Sequence, residues 1–168
     1  MKALQYIGIA LCVLIAICIT VNLEAWRRAA QDRQLAASVQ TQASVLDLYV
    51  AVLETESGQR GYIITGNVLD AEDYYSGADR VHEARQRLTL YLRASGASAD
   101  QRQQLKEFDD VLKLKLTEMA STIQAVHDSG PAAAVAIVKN QSGLRMMKHL
   151  RSLKDTLIAS TREGSDGR

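Results

Sequence analysis

From Leu105 to Val126 the chain places Leu105, Phe108, Leu112, Leu116, Met119, Ile123 and Val126 at spacings of three or four. That period fits one face of an α-helix and no strand, so this stretch must bury a helical stripe against other elements. Similar stripes run through the rest of the chain. Leu35, Val39, Leu46, Tyr49 or Val50, and Leu53 form one; Tyr74, Ala78, Val81, Leu88, and Tyr91 or Leu92 form a second. Val135, Val138, Ser142, Met146, Leu150, Leu153 and Leu157 form the last. A single proline and a single phenylalanine in 168 residues argue against a β-rich or loop-rich domain. The expected fold is all-α: an N-terminal transmembrane helix followed by an up-down-up-down four-helix bundle.

The breaks between stripes carry turn chemistry. Gly66 ends the first helix and Asn67 caps the second, with Asp70 three residues on as an approximate capping box. Ser95-Gly96 ends the second helix, and Ser98 or Asp100 starts the third. Asp128-Ser129-Gly130-Pro131 separates the third from the fourth, with Pro131 in the new first turn. The fourth helix is expected to run on from there without interruption. Residues 162–168 are polar and read as a flexible tail.

Ahead of the bundle, Tyr6 to Leu23 is almost wholly apolar. About 18 residues at a rise of 1.5 Å give roughly 27 Å, close to a bilayer core. Trp26 follows at interfacial depth, and Arg27 and Arg28 reach headgroups. A cleaved signal peptide fits less well, because Leu23-Glu24-Ala25 puts a large residue where cleavage needs a small one. The organisation expected is a short cytoplasmic N-terminus at 1–5, an anchor in the lipid bilayer at 6–23, a bundle at 24–161 and the tail. Arg27, Arg28 and Arg33 outnumber Lys2, which by charge alone favours a cytoplasmic bundle.

Net charge is +1, so no field draws nucleic acid, and no nucleic-acid partner is expected. Both cysteines, Cys12 and Cys18, fall in the apolar segment, so the bundle is built without disulfides. His82, His127 and His149 lie on three separate helices and make no i,i+4 metal pair. Asp109 and Asp110 are adjacent in a helix and point apart. Neither a phosphate loop, a nucleophile elbow nor a zinc-ligand cluster is present. The chain is expected to be no enzyme and to carry no cofactor or metal.

The densest functional signal is Glu54–Asn67, ETESGQRGYIITGN. Gly58 and Gly61 each cost about 1 kcal/mol against alanine in a helix, so something must be gained there. They allow close helix contact or let a ligand approach the backbone. Glu56 and Arg60 share a face and can pair, either as an ion pair that fixes helix register or as an anion site. Tyr62, Tyr74 and Tyr75 are either core aromatics or the lining of a pocket. Ala132 to Ala136 allow close packing or a dimer seam.

These residues resemble the type-three CHASE family of bacterial extracytoplasmic sensory domains. Its first helix carries a motif much like E-T/S-G-x-R-G-Y-hydrophobic-hydrophobic-T-G. Glu56, Ser57, Gly58, Gln59, Arg60, Gly61, Tyr62, Ile63, Ile64, Thr65 and Gly66 match it almost without gap. Tyr74 and Tyr75 resemble the family's aromatic cluster early in the second helix. Gly143, Met146 and Met147 resemble its glycine and Met-rich turn in the last. The likeness covers roughly residues 30 to 160.

The resemblance implies a single-pass protein of the bacterial inner membrane with its bundle in the periplasm, against the charge count. It implies input to signal transduction of the two-component kind. The ligand-binding or signalling motif would comprise Glu56, Ser57, Gly58, Gln59, Arg60, Gly61, Tyr62, Thr65, Gly66, Tyr74 and Tyr75. A small-molecule ligand of unknown identity is the implied input, and a homodimer or partner membrane signalling protein the implied output. Family members are normally bracketed by two membrane spans, and here no second span, kinase or cyclase follows. That leaves a stand-alone sensor or the sensory fragment of a histidine kinase or diguanylate cyclase. Two alternatives have other roots: a non-sensing structural bundle that braces a membrane complex, and a cytoplasmic bundle on an anchor.

Overall fold

Glycines in the left-handed region mark three of the four breaks, at Gly66 (φ 65°), Gly96 (φ 68°) and Gly130 (φ 77°). They separate helices α1 (Lys2–Thr65), α2 (Val68–Ala94), α3 (Ala99–Ser129), α4 (Pro131–Lys139) and α5 (Ser142–Asp166). The computed structural model describes the backbone of residues 2–166 and the side chains of residues 14–162. Every element among the described residues is helical.

Two compact units partition the chain, Met1–Ala37 and Ser38–Arg168. In the first, the described side chains Leu14, Ile15, Ile17, Ile19, Val21, Leu23 and Trp26 are exposed along α1. Among the described residues no helix is long and apolar enough to cross a membrane. The first part of the expected anchor, residues 6–13, lies outside the described side chains.

In the second unit one core draws on α1, α2, α3 and α5, with Val45, Leu48, Val52, Val81, Leu88, Phe108, Leu112, Leu150 and Leu157 at its centre. A second cluster joins Tyr74 to Met119 and Ile123, with Tyr62 packed against it. The stripes expected on α2 and α3 face the core, with Ala78, Leu105 and Leu116 half-buried and the rest buried, except that Tyr91 stays outside and Leu92 goes in.

The expected stripe on α1 is largely the wrong face. Val39, Leu46, Val50 and Leu53 are exposed, while Thr41, Ser44, Val45, Leu48, Val52, Thr55, Glu56 and Gln59 are buried. The inward face tolerates its hydroxyls because they bond the preceding turn: Ser44 Oγ donates to Gln40 O (2.9 Å) and Thr55 Oγ1 to Ala51 O (2.7 Å).

The expected continuous fourth helix is divided. Asn140 Oδ1 accepts from Ser142 N at 2.7 Å and Gln141 sits at φ 57°, which stops α4 and starts α5 without glycine or proline. Val135 and Val138 are consequently exposed, and Ala134 is the buried residue of α4. Among the caps, Asn67 Oδ1 accepts from Leu69 N as expected (3.1 Å). Asp70 completes no capping box; its carboxylate accepts from the Thr65 hydroxyl across the turn. Ser98, and not Asp100, caps α3 in a capping box with Gln101.

Candidate functional site

The motif on α1 folds into three separate tasks. Gly58 and Gly77 bring α1 and α2 into backbone contact. A Cβ on Gly58 would stand 2.5 Å from Tyr74 N, and one on Gly77 would stand 2.9 Å from Thr55 Cα. Gly61 lies under the Asp70 carboxylate, with Oδ1 at 2.9 Å from where its Cβ would be. Thr65, Gly66 and Asn67 then close the turn: Thr65 Oγ1 accepts from Asn67 N at 3.0 Å. This first task is hairpin construction, and it accounts for Gly58, Gly61, Thr65 and Gly66.

The second task is aromatic packing. Tyr74 is buried and Tyr75 exposed, with their rings edge to face at 5.1 Å. Burial, and then the neighbouring Tyr75, push the Tyr74 hydroxyl above its ordinary pKa, so it remains neutral well into the alkaline range. The two tyrosines and Tyr62 belong to the core and its rim. Ser57 points outward and joins neither arrangement.

The third task is electrostatic. Lys115, 2% exposed, places Nζ 3.2 Å from Glu56 Oε1 and 2.9 Å from Glu118 Oε2. Arg60 approaches the same Glu56 oxygen from the outside at 3.2 Å. Two cations and two carboxylates thus alternate in a chain from the solvent into the bundle, tying α1 to α3. Burial of these charges is tolerable because each has an opposite partner. Gly143 at the start of α5 leaves the space the cluster fills, since a Cβ there would be 2.9 Å from Lys115 Nζ.

A cavity of about 270 Å³ opens over this chain of charges. Its polar wall is Glu56, Gln59, Arg60, Lys115, Glu118 and Gln141; Ile63, Val138 and Leu144 supply the apolar wall. Gln59 is 3% exposed, and its amide makes no hydrogen bond among the described residues. None of its atoms is sealed from solvent, so the amide is reached through the cavity. Water in the cavity can therefore bond this amide, and a ligand seated there would take the place of that water.

Of the motif residues, the structure brings Glu56, Gln59 and Arg60 together at the cavity. Sequence reasoning missed Lys115, Glu118 and Gln141. Lys115 was findable: Phe108, Leu112, Lys115, Met119, Thr122 and Val126 also run at spacings of three and four, and all are buried. The clustering of Gly143 with a charged group had no counterpart in sequence spacing.

The CHASE3 domain family model matches residues 31–165. Among solved structures, a "periplasmic sensor domain of sensor histidine kinase" is similar at a TM-score of 0.71 and 21% identity, over 83% of this chain and 92% of that one. At that identity the likeness is one of fold. No curated protein sequence matches the chain.

Proposed function

The chain belongs to the CHASE3 domain family, and on that premise we propose that it is a membrane-anchored, extracytoplasmic sensory domain of bacterial signal transduction and not an enzyme. In this reading Tyr6–Leu23 is the single inner-membrane anchor. The helices α1, α2, α3 and α5 form an up-down-up-down four-helix bundle in the periplasm, with α4 as an inserted turn between the last two. Family membership and the fold likeness to a periplasmic sensor domain support this.

Gln59 carries the reading beyond family membership: a buried amide without a partner at the wall of a charged cavity. The cavity's cations, Arg60 and Lys115, are balanced by Glu56 and Glu118. A ligand that fits is therefore small, polar and without net charge, carrying both a donor and an acceptor. It would touch α1 through Gln59 and Arg60 and the α4–α5 turn through Gln141. Tighter binding to one packing of these helices than to another shifts their populations, and that shift is the signal.

The hairpin and core roles of Gly58, Gly61, Thr65 and Tyr74 give specific support to a second reading, a structural bundle that binds nothing. Ligand-dependent stability separates the two. Placement is tested by fusing alkaline phosphatase and a fluorescent protein in turn after Arg168. Active phosphatase with a dark fluorophore is expected. A bright fluorophore with silent phosphatase would put the bundle in the cytoplasm and end the extracytoplasmic reading.

A further inference from the structure

The turn between α2 and α3 carries a second cavity, which shares no residue with the one at Gln59. Gly96 at φ 68° closes a Schellman turn in which Ala97 N donates to Leu92 O at 3.0 Å. Leu92 and Ala97 are buried by that turn, and with half-buried Leu105 they make an apolar floor. The cavity over this floor holds about 470 Å³, within the range of small-ligand sites.

Its wall is cationic. Arg85, Arg93, Arg102 and Lys106 line it, against one carboxylate, that of Asp109. Arg85 takes up Asp109 completely: its Nε and Nη2 donate to Oδ1 and Oδ2 at 2.7 Å each. Lys106 is answered by Asp110 at 2.9 Å. Arg93 and Arg102 have no carboxylate partner among the described residues. Two positive charges therefore stand unbalanced where α2 ends and α3 begins.

Two of the guanidinium groups are held in place before any ligand arrives. Arg102 Nη1 donates to the carbonyl of Ala97, which leaves its Nε–Nη2 edge without a protein partner among the described residues. The two-point bond to Asp109 fixes Arg85 and leaves its Nη1 in the same condition. A guanidinium edge matches a pair of phosphate or carboxylate oxygens, and holding it beforehand lowers the ordering cost of binding. Charge separates these two anions. A phosphate monoester brings about −1.5 to −2 at neutral pH and meets both unbalanced cations, whereas a carboxylate meets one.

We infer that this cavity binds a phosphate monoester, with its phosphoryl oxygens on Arg93 and Arg102 and its organic part on Leu92, Ala97 and Leu105. Such a ligand ties the last turn of α2 to the start of α3 and removes the repulsion between the two unbalanced cations. The site stands whether or not the Gln59 cavity takes a ligand. A soluble ester and the headgroup of phosphatidic acid offer the same chemistry, and the test distinguishes them.

The test is thermal unfolding of the full chain in dodecyl maltoside micelles, followed by helical circular dichroism. One arm adds sn-glycerol 3-phosphate, with sodium chloride at matched ionic strength as its control. The other mixes phosphatidic acid into the micelles, with phosphatidylcholine as its control. The expected result is a saturable rise of the midpoint with glycerol 3-phosphate that chloride does not reproduce. A rise with phosphatidic acid alone would uphold the site and make a lipid its source. In Arg93→Gln with Arg102→Gln the apparent Kd should weaken about tenfold or more, because charge-assisted hydrogen bonds are lost. Arg102→Gln also gives up the bond to Ala97. Should the double variant not unfold cooperatively, Arg93→Gln alone carries the test, with a several-fold weakening expected. No rise above the controls in either arm would overturn the inference, and so would a rise that the variant retains in full.

Discussion

Replacing Lys115 by methionine is expected to destabilise the domain by about 3–5 kcal/mol, the cost of leaving a buried charge without its partner. Methionine nearly matches the volume, so the loss is electrostatic. Glu56 and Glu118 would face each other across the site that Nζ now occupies at 3.2 and 2.9 Å. Arg60 compensates little, since it lies mostly in solvent, where such a pair contributes under about 1 kcal/mol. Adding Glu56→Gln and Glu118→Gln to Lys115→Met should restore most of the stability, because the amides need no counter-charge. Urea midpoints at unchanged slope measure both effects. A single-variant loss below about 1 kcal/mol would mean that water in the cavity solvates Glu56 and Glu118 well enough to replace Lys115.

The second large effect is expected at Gly58. Helix propensity alone makes Gly58→Ala stabilising by about 1 kcal/mol. The contact with α2 reverses that sign. The new Cβ would lie 2.5 Å from Tyr74 N and 2.9 Å from Asp73 C, and both are backbone atoms that cannot rotate away. The two helices must separate, which costs about 1–3 kcal/mol or more and opens the Tyr74–Met119–Ile123 cluster beneath. Gly143→Ala is the internal comparison. Its Cβ meets only the ends of Lys115 and Glu118, side chains that can shift by tenths of an ångström. The thermal midpoint should therefore fall much further for Gly58→Ala than for Gly143→Ala. A rise on Gly58→Ala would show that α1 and α2 do not touch there.

These two positions also show what was legible before the structure. Turn chemistry read well because Gly66, Asn67, Ser98, Gly130 and Pro131 act locally, through their own φ angles and hydrogen bonds. The α3 stripe read well because its large apolar residues are confined mainly to one face and the opposite face is mostly polar or small. On α1 the apolar residues at helical spacing lie on the outer face, and hydrophobicity alone does not say which face of a helix is buried. The inner face hides among Thr41, Ser44, Thr55 and Gln59, whose burial depends on partners elsewhere in the chain. Lys115 shares the spacing of the buried α3 face, which marks its position, but its partner Glu56 comes from α1 and no spacing within α3 shows it. The break at Asn140-Gln141 escaped notice because a side-chain turn leaves no glycine or proline behind.

Within the candidate site, Glu56 and Arg60 were readable as an i,i+4 pair, and they do pair. Gln59 was readable only as a motif position. Its significance comes from a three-dimensional fact, that the cavity wall offers its amide nothing to bond.

The central claim, that this cavity receives a molecular input, is tested most directly by thermal unfolding of the full chain against a panel of free amino acids and small polar amides. A ligand that binds only the folded state stabilises it by about 2.7 kcal/mol at a concentration one hundred times its Kd. The account predicts that at least one of these classes raises the midpoint of the native chain and fails to raise that of Gln59→Leu, which removes the unpartnered amide while keeping its bulk. If no member of the panel shifts the native chain at millimolar concentration, or if Gln59→Leu responds as the native chain does, the cavity is not the input site and the bundle is better read as structural.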